Sequence, residues 1–183
     1  MTKLLTLLCS AVIFLVSQKE CAQTNVNRIL RENRPANTSP TKVLAVYEPW
    51  FGHPRHIDVG YSSQDPVVIK KQIEEAKKLG ITGFVIDWYG DREPFLDKSY
   101  ALLQTMAAQQ NFNVAMMFDE ANQPADQATD DALAAFDMFQ RKYLAADAPG
   151  RKAYLEYQGR PVIFIFPKGG RTDWNRVRMA TNQ

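Results

Sequence analysis

Residues 65–86, DPVVIKKQIEEAKKLGITGFVI, decide the fold that this sequence predicts. Asp65 and Pro66 are typical of the cap and first turn of a helix, and Gly80 is typical of the position just past its end. Between them, apolar residues recur at helical spacing while lysines and glutamates occupy the other face. Residues 81–86 form an apolar run that is typical of a strand buried on both faces. The stretch therefore predicts a helix followed at once by a buried strand.

The same alternation of strands and helices extends outward from this stretch in both directions. The predicted strands are residues 43–47 (VLAVY), 81–86 (ITGFVI), 113–118 (NVAMMF) and 162–166 (VIFIF). The predicted helices are residues 66–79, a segment that begins at Pro94, residues 127–146 and a segment that begins near Thr172 or Asp173. Strands that alternate with helices predict a parallel sheet, either open and doubly wound or closed into a barrel.

The loops help to distinguish these two architectures. Open sheets that bind nucleotides commonly carry GxGxxG after the first strand or a phosphate-binding GxxxxGK[ST], and the sequence has neither. The sequence therefore favours an α/β fold of the (β/α)8 TIM-barrel type. Residues 42–183 hold four predicted strand–helix units, whereas a full barrel has eight. We expect this domain to be the first half of a barrel, truncated, with apolar edge strands that either continue into further units or pair with a second copy.

The first 41 residues differ in character from the rest. Lys3 precedes an apolar run at residues 4–16 (LLTLLCSAVIFLV), which is shorter than the roughly 20 residues that span a bilayer. The run predicts a signal peptide at residues 1–22, cleaved after Ala22, and hence a secreted, periplasmic or cell-surface protein. A lipoprotein anchor at Cys21 is the alternative. Residues 23–41 are polar and predict a linker.

Charge and cysteine content narrow the function classes. The 183 residues carry 22 basic and 20 acidic side chains without a basic run, so the sequence does not predict nucleic-acid binding. The two cysteines, Cys9 and Cys21, both lie in the predicted leader. The predicted mature domain therefore has neither an internal disulfide nor a thiol nucleophile.

Polar and aromatic residues gather directly after each predicted strand. The first strand is followed by Glu48, Trp50, His53 and His56, the second by Asp87, Trp88 and Tyr89, the third by Asp119 and Glu120, and the fourth by Lys168 and Arg171. In a (β/α)8 barrel these strand ends converge on the face that carries the active site. Carboxylates for catalysis and rings that stack on sugars are typical of a carbohydrate site.

Each of the three acids after the second and third strands also has a structural interpretation. Asp87 fits a loop cap or an ion pair with Arg92, and Asp119 and Glu120 fit two solvated loop acids. We regard these three carboxylates as candidate supporting acids of a site, because sequence alone does not show the raised pKa that an acid catalyst needs.

The aromatic and histidine residues likewise have alternatives. Trp50 and Trp88 fit a hydrophobic core as well as a sugar platform. His53 and His56 have the spacing of a metal pair, but no third histidine or nearby cysteine completes a zinc site. We therefore predict no metal and expect a histidine to bond a sugar hydroxyl or a loop carbonyl.

Three stretches carry a family resemblance: residues 47–52 (YEPWFG), 60–66 (GYSSQDP) and 83–90 (GFVIDWYG). They resemble the glycoside hydrolase family 99-like proteins, a group similar to family 71 and to WbsX-like sugar-polymer proteins. The resemblance covers roughly residues 43–178. It implies a (β/α)8 barrel, endo-acting hydrolysis of α-mannan-like glycans and no dissociable cofactor.

The resemblance also implies roles for individual residues. Sugar subsites are expected at Tyr47, Trp50, Trp88 and Tyr89, and Glu48, His53 and His56 complete the expected substrate-binding set. The family carries His-x-Glu-Pro-Tyr after its third strand, where this sequence reads MFDEA, so Asp119 takes the place of the glutamate. The histidine, proline and tyrosine are replaced, and the resemblance then implies only a related glycan.

The catalytic residues themselves are not identified, because the two catalytic glutamates of the family follow a later strand. We therefore expect this chain to be inactive by itself. Two alternatives remain: a WbsX-like glycosyltransferase of glycan assembly, which export argues against, and a non-catalytic carbohydrate-binding remnant.

Overall fold

The computed structural model describes residues 41–120 and 126–181. The predicted signal peptide, its cleavage site and the predicted linker up to residue 40 lie outside the described residues. The chain divides into Met1–Thr41 and the unit Lys42–Gln183. All that follows concerns the second unit.

This unit has four parallel strands with helices between them. The strands of the main sheet are β1 (Leu44–Tyr47), β2 (Gly83–Trp88), β3 (Asn113–Asp119) and β6 (Ile163–Phe166). The helices are α1 (Pro66–Lys78), α2 (Pro94–Gln109), α3 (Ala128–Phe139) and α4 (Trp174–Thr181). The short antiparallel pair β4 (Glu156–Tyr157) and β5 (Arg160–Pro161) lies between α3 and β6.

The strand order β1-β2-β3-β6 follows the chain, and every neighbouring pair is parallel. The α/β class and the four consecutive strand–helix units predicted from the sequence are therefore confirmed. Helix α3 ends at Phe139 and continues as a π-helical turn, Gln140–Leu144, within the range predicted as helix. The β4–β5 hairpin was not predicted; its turn places Gln158 and Gly159 at φ of 52° and 75°.

Helix α1 has the cap, the terminal glycine and the buried apolar face that its sequence predicts. The Asp65 carboxylate accepts a hydrogen bond of 2.8 Å from the Val67 N–H, which caps the first turn. Gly80 follows the helix at φ 80°, a conformation that favours glycine. Ile69 and Ile73 are completely buried against the sheet.

Alternation along the strands gives the sheet two different faces. On β2, the side chains of Phe84, Ile86 and Trp88 belong to the core beneath the helices. The intervening Val85 and Asp87 project to the opposite face of the sheet. That face includes Val46, which is 59% exposed. Within the described residues, β1 and β6 each have one unpaired edge.

A search of the described residues for helices long and apolar enough to cross a membrane found none.

Burial of α1 predicts a clear contrast between two substitutions on this helix. Ile73→Ala should lower the free energy of unfolding by about 2–5 kcal/mol, because it opens a cavity in the core. Val67→Ala, at a side chain that is 75% exposed, should change it by less than about 0.5 kcal/mol. Urea denaturation of both variants measures the difference; equal losses would show that α1 does not pack as described.

Candidate functional site

Three carboxylates meet at the carboxyl ends of neighbouring strands, and we call Glu48, Asp87 and Asp119 the acidic cluster. Glu48 follows β1, Asp87 lies near the end of β2 and Asp119 ends β3. The strand register extends from Tyr47 beside Ile86 to place Glu48 beside Asp87. Both aspartates alternate with core side chains, so they lie on the face of the sheet opposite the helices.

The two aspartates of the acidic cluster are buried and Glu48 is half-buried, and all three carboxylates are incompletely hydrogen-bonded. Asp87 is 3% exposed and Asp119 is 4% exposed. One carboxylate oxygen of each member, Glu48 Oε2, Asp87 Oδ1 and Asp119 Oδ1, has no hydrogen-bond partner. Carboxylate oxygens accept hydrogen bonds, so these three atoms are suited to donors such as hydroxyl groups.

Burial, together with the crowding of like charges, changes the protonation of the cluster. Burial raises the pKa of Asp87 from 3.8 to about 7, and the charges of Asp119 and Glu48 add to the effect. Burial also raises the pKa of Glu48. The cluster therefore exchanges a proton near neutral pH, the property required of a carboxyl that acts in acid–base catalysis.

Lys168 and Tyr89 complete the surroundings of the cluster. The Lys168 Nζ lies 2.7 Å from Asp119 Oδ2 and 5.2 Å from the centroid of the Tyr89 ring. The Tyr89 hydroxyl interacts with both Asp87 and Asp119, and burial together with these charges raises the pKa of Tyr89 far above its usual value. Tyr89 therefore stays protonated and donates its hydrogen to the carboxylates.

An aromatic pocket of about 270 Å³ adjoins the cluster. We call it the Trp50 pocket; its lining residues are Trp50, Arg55, His56, Tyr89, Glu93 and Leu96. The rings of Trp50 and His56 are stacked, with centroids 5.1 Å apart and planes 4° from parallel. Because Tyr89 lines this pocket and also contacts the cluster, a ligand bound here has both features within reach.

An ion pair joins the two loops that form the pocket. The Arg55 guanidinium donates to both carboxylate oxygens of Glu93 at 3.1 Å, so the loop after β1 is tied to the start of α2. His53 lies beside this pair, where its Nδ1 accepts a hydrogen bond from the Arg55 N–H and its ring meets the Phe95 ring edge-on. A search of the described residues for three or more histidine, cysteine, aspartate or glutamate side chains arranged to hold a metal ion found none.

The prediction that Trp88 lines a sugar subsite is wrong. Its side chain is completely buried in the core, where the indole packs against the rings of Phe118 and Phe139. The indole Nε1–H donates to Asp97 Oδ1 at 3.3 Å. The reason is strand alternation, because Trp88 shares the helix-facing side of β2 with Phe84.

The structure places Tyr47, a predicted sugar-subsite residue, half-buried against the core beneath the helices. Its hydroxyl donates to Gln72 Oε1 on α1 at 2.8 Å, and its ring lies 5.0 Å from that of Phe84. Burial raises the pKa of Tyr47 to about 12, so the phenol stays neutral.

Glu120 has a different role from its neighbour in the sequence. It is 2% exposed and accepts backbone N–H donors from Lys168 at 2.8 Å and Thr172 at 2.6 Å. Burial opposes its ionisation, but the hydrogen bonds outweigh burial and lower the pKa of Glu120. Glu120 therefore supports the loop after β6 and is not a solvated acid.

Arg92, considered from the sequence as a partner for Asp87, instead pairs with Asp131 on α3.

The structure brings together six of the residues predicted for the site: Glu48, Asp87, Asp119, Trp50, His56 and Tyr89. It leaves Tyr47 and Trp88 outside. The sequence placed Lys168 at the predicted site face without a specific role, and it gave no indication of Arg55 or Glu93. For Lys168 a signal existed: it follows Phe166 by two positions and so continues the same face of β6. The Arg55–Glu93 pairing has no local signal, because 38 positions separate the partners.

Comparison with known proteins gives matches among solved structures. No protein-family model and no curated protein matches the sequence. The chain is similar to the GH99 endo-alpha-mannosidase of Bacteroides thetaiotaomicron in complex with bis-tris-propane, with a TM-score of 0.51 and 21% identity over 70% of this chain and 42% of that chain. A further structure of that enzyme gives 0.52 and 21% over 70% of this chain and 45% of that chain.

These comparisons concern the fold. The chain spans less than half the length of the solved structures that it matches. The likeness supports a GH99-like fold, with TIM-barrel glycoside hydrolases as neighbours, and it confirms the predicted α/β class.

Burial of Asp87 predicts a pH-dependent effect of Asp87→Asn on stability. With its pKa raised from 3.8 to about 7, the folded protein binds the proton more tightly than the unfolded chain, so the wild type loses stability as the pH rises through this window. The variant should be more stable than wild type by about 1–3 kcal/mol at pH 8, and this advantage should vanish near pH 4.

Denaturant unfolding at pH 4, 6 and 8 measures this difference. Asp91→Asn is the matched control, because it removes an exposed carboxylate outside the cluster. A constant difference between wild type and Asp87→Asn at all three pH values would contradict the description of the cluster.

Proposed function

We propose that this chain contributes the sugar-binding rim of a glycoside hydrolase-like protein that acts on a polysaccharide or a glycoprotein glycan. The observation that carries the proposal is the position of the Trp50 pocket next to the acidic cluster. Sugars combine apolar ring faces with many hydroxyl groups, so they need an aromatic surface beside hydrogen-bond acceptors. Trp50 offers the first, and the unpartnered oxygens of Asp87 and Asp119 offer the second.

The chemistry of the cluster supports hydrolysis within a larger barrel. Glycoside hydrolases use a pair of carboxyl groups, one protonated and one ionised. Asp87 has the raised pKa of a carboxyl that shares its environment with other acids. In our proposal the cluster holds and orients the sugar, and further strand–helix units pairing with the free edges of β1 and β6 supply the rest of the active site.

The substrate class that we propose is an α-mannan or a related glycan. Support comes from the structural neighbours, which are described as endo-alpha-mannosidases. One of them is in complex with bis-tris-propane, a polyhydroxylated amine. Export to the periplasm, the cell surface or the medium is part of the proposal and follows from the predicted signal peptide.

A fluorescence titration with soluble α-mannan oligosaccharides tests the proposal. The protein has 3 tryptophans, and sugar stacking in the Trp50 pocket should change the emission of Trp50. Trp50→Phe should abolish that change, and Trp50→Ala should weaken binding about 3- to 10-fold, since it removes an aromatic contact. Trp174→Phe is the matched control and should leave the response intact, because Trp174 packs against Phe136 near α3.

Release of reducing ends from the same oligosaccharides separates two outcomes. Binding with hydrolysis supports a catalytic protein, and binding without hydrolysis supports a carbohydrate-binding role for this chain. A wild-type protein that shows no spectral change with mannans or other glycans would contradict the proposed sugar site.

A further inference from the structure

Two adjacent acids contact the same lysine: Asp119 pairs with the Lys168 side chain, and Glu120 accepts a hydrogen bond from its backbone. Asp119 Oδ2 lies 2.7 Å from the Lys168 ammonium, and Glu120 Oε2 accepts the Lys168 backbone N–H at 2.8 Å. Because successive residues at a strand end point in opposite directions, the two carboxylates reach the lysine by different routes. One contact positions the charge and the other positions the backbone that carries it.

Glu120 also fixes the far end of the same loop. Its second oxygen accepts the Thr172 N–H at 2.6 Å, so one buried carboxylate bridges both ends of the segment 168–172. Within that segment Gly169 and Gly170 have φ of 85° and 67°. These values are accessible mainly to glycine, whose backbone is otherwise the most flexible. The two hydrogen bonds to Glu120 therefore restrict a loop that its own sequence leaves free.

The position of the Lys168 ammonium matters to the whole acidic cluster. Asp87 is faced by Glu48 directly after β1, by Asp119 from β3, by Tyr89 directly after β2 and by Lys168 from the loop after β6. Of these groups, Lys168 carries the positive charge. It also occupies Asp119 Oδ2 and leaves Oδ1 as the unpartnered acceptor.

We propose that Glu120 is a positioning residue of the sugar site: it anchors the backbone of the loop 168–172 so that the Lys168 ammonium stays on Asp119 and balances the charge of the acidic cluster. The inference deepens the proposed function and rests on it for the identity of the site. The ion pair and the hydrogen bonds from which it is argued do not depend on a bound sugar.

The test follows the titration of Asp87 in the full, unliganded chain by carboxyl ¹³C NMR. Glu120→Gln should raise the titration midpoint of Asp87 by about 0.5–1 pH unit, because the released ammonium no longer favours the ionised carboxylate. Lys168→Met should raise it at least as far. The double variant should match Lys168→Met alone, since Glu120 acts through Lys168 and the two effects do not add.

Two further variants keep the test decisive. Asp173→Asn is the matched control, because Asp173 also accepts backbone N–H groups, from Asn175 and Arg176 at 3.1 Å each, but at the start of α4. It should leave the Asp87 midpoint unchanged. Glu120→Asp retains a carboxylate on a shorter side chain and should give a smaller shift in the same direction; it carries the comparison if Glu120→Gln does not fold.

An unchanged Asp87 midpoint in the folded Glu120 variants, or additive shifts in the double variant, would overturn the inference. Sugar affinity does not enter this measurement. Failure of the fluorescence titration would therefore refute the proposed function and leave the positioning role of Glu120 unaffected. An unchanged Asp87 midpoint would refute the positioning role and leave the proposed function unaffected.

Discussion

The site depends on the alternation of side chains along parallel strands that are held in register. On β2 this alternation sends Phe84, Ile86 and Trp88 into the core beneath the helices and turns Asp87 to the opposite face. The same alternation on β3 directs Phe118 into this core and turns Asp119 to the opposite face. Because the strands run in the same direction, acids that are far apart in the sequence are brought to one end of the sheet. A register shift of one residue would exchange the two faces and remove the site.

Concentrating acids in this way is electrostatically unfavourable, and the surrounding residues moderate it. Protonation of Asp87 near neutral pH, the Tyr89 hydroxyl and the Lys168 ammonium each reduce the repulsion among the carboxylates. The lysine reaches its place because Glu120 secures a glycine-containing loop. Charge, protonation and loop geometry at the rim therefore form one system, in which the change of a single member alters the others.

The elements were predictable where local sequence decides them. Asp65, Pro66 and Gly80 define helix α1, and the apolar runs define the four strands, because caps and periodicity act over a few residues. The site was predictable in part, since strand ends converge in any parallel barrel. Tyr47 and Trp88 were assigned to the wrong face, although counting by twos from Phe84 would have corrected Trp88. The Arg55–Glu93 pair depends on tertiary contact and leaves no trace in local sequence.

Tyr89 links two features that could otherwise vary independently. Its ring forms part of the Trp50 pocket, while its hydroxyl interacts with the carboxylates of Asp87 and Asp119. A change at this position that reshapes the pocket for a different ligand also removes a donor from the acids. Evolution of new specificity through Tyr89 is therefore pleiotropic, because one substitution alters the pocket wall and the hydrogen bonding of the carboxylates together.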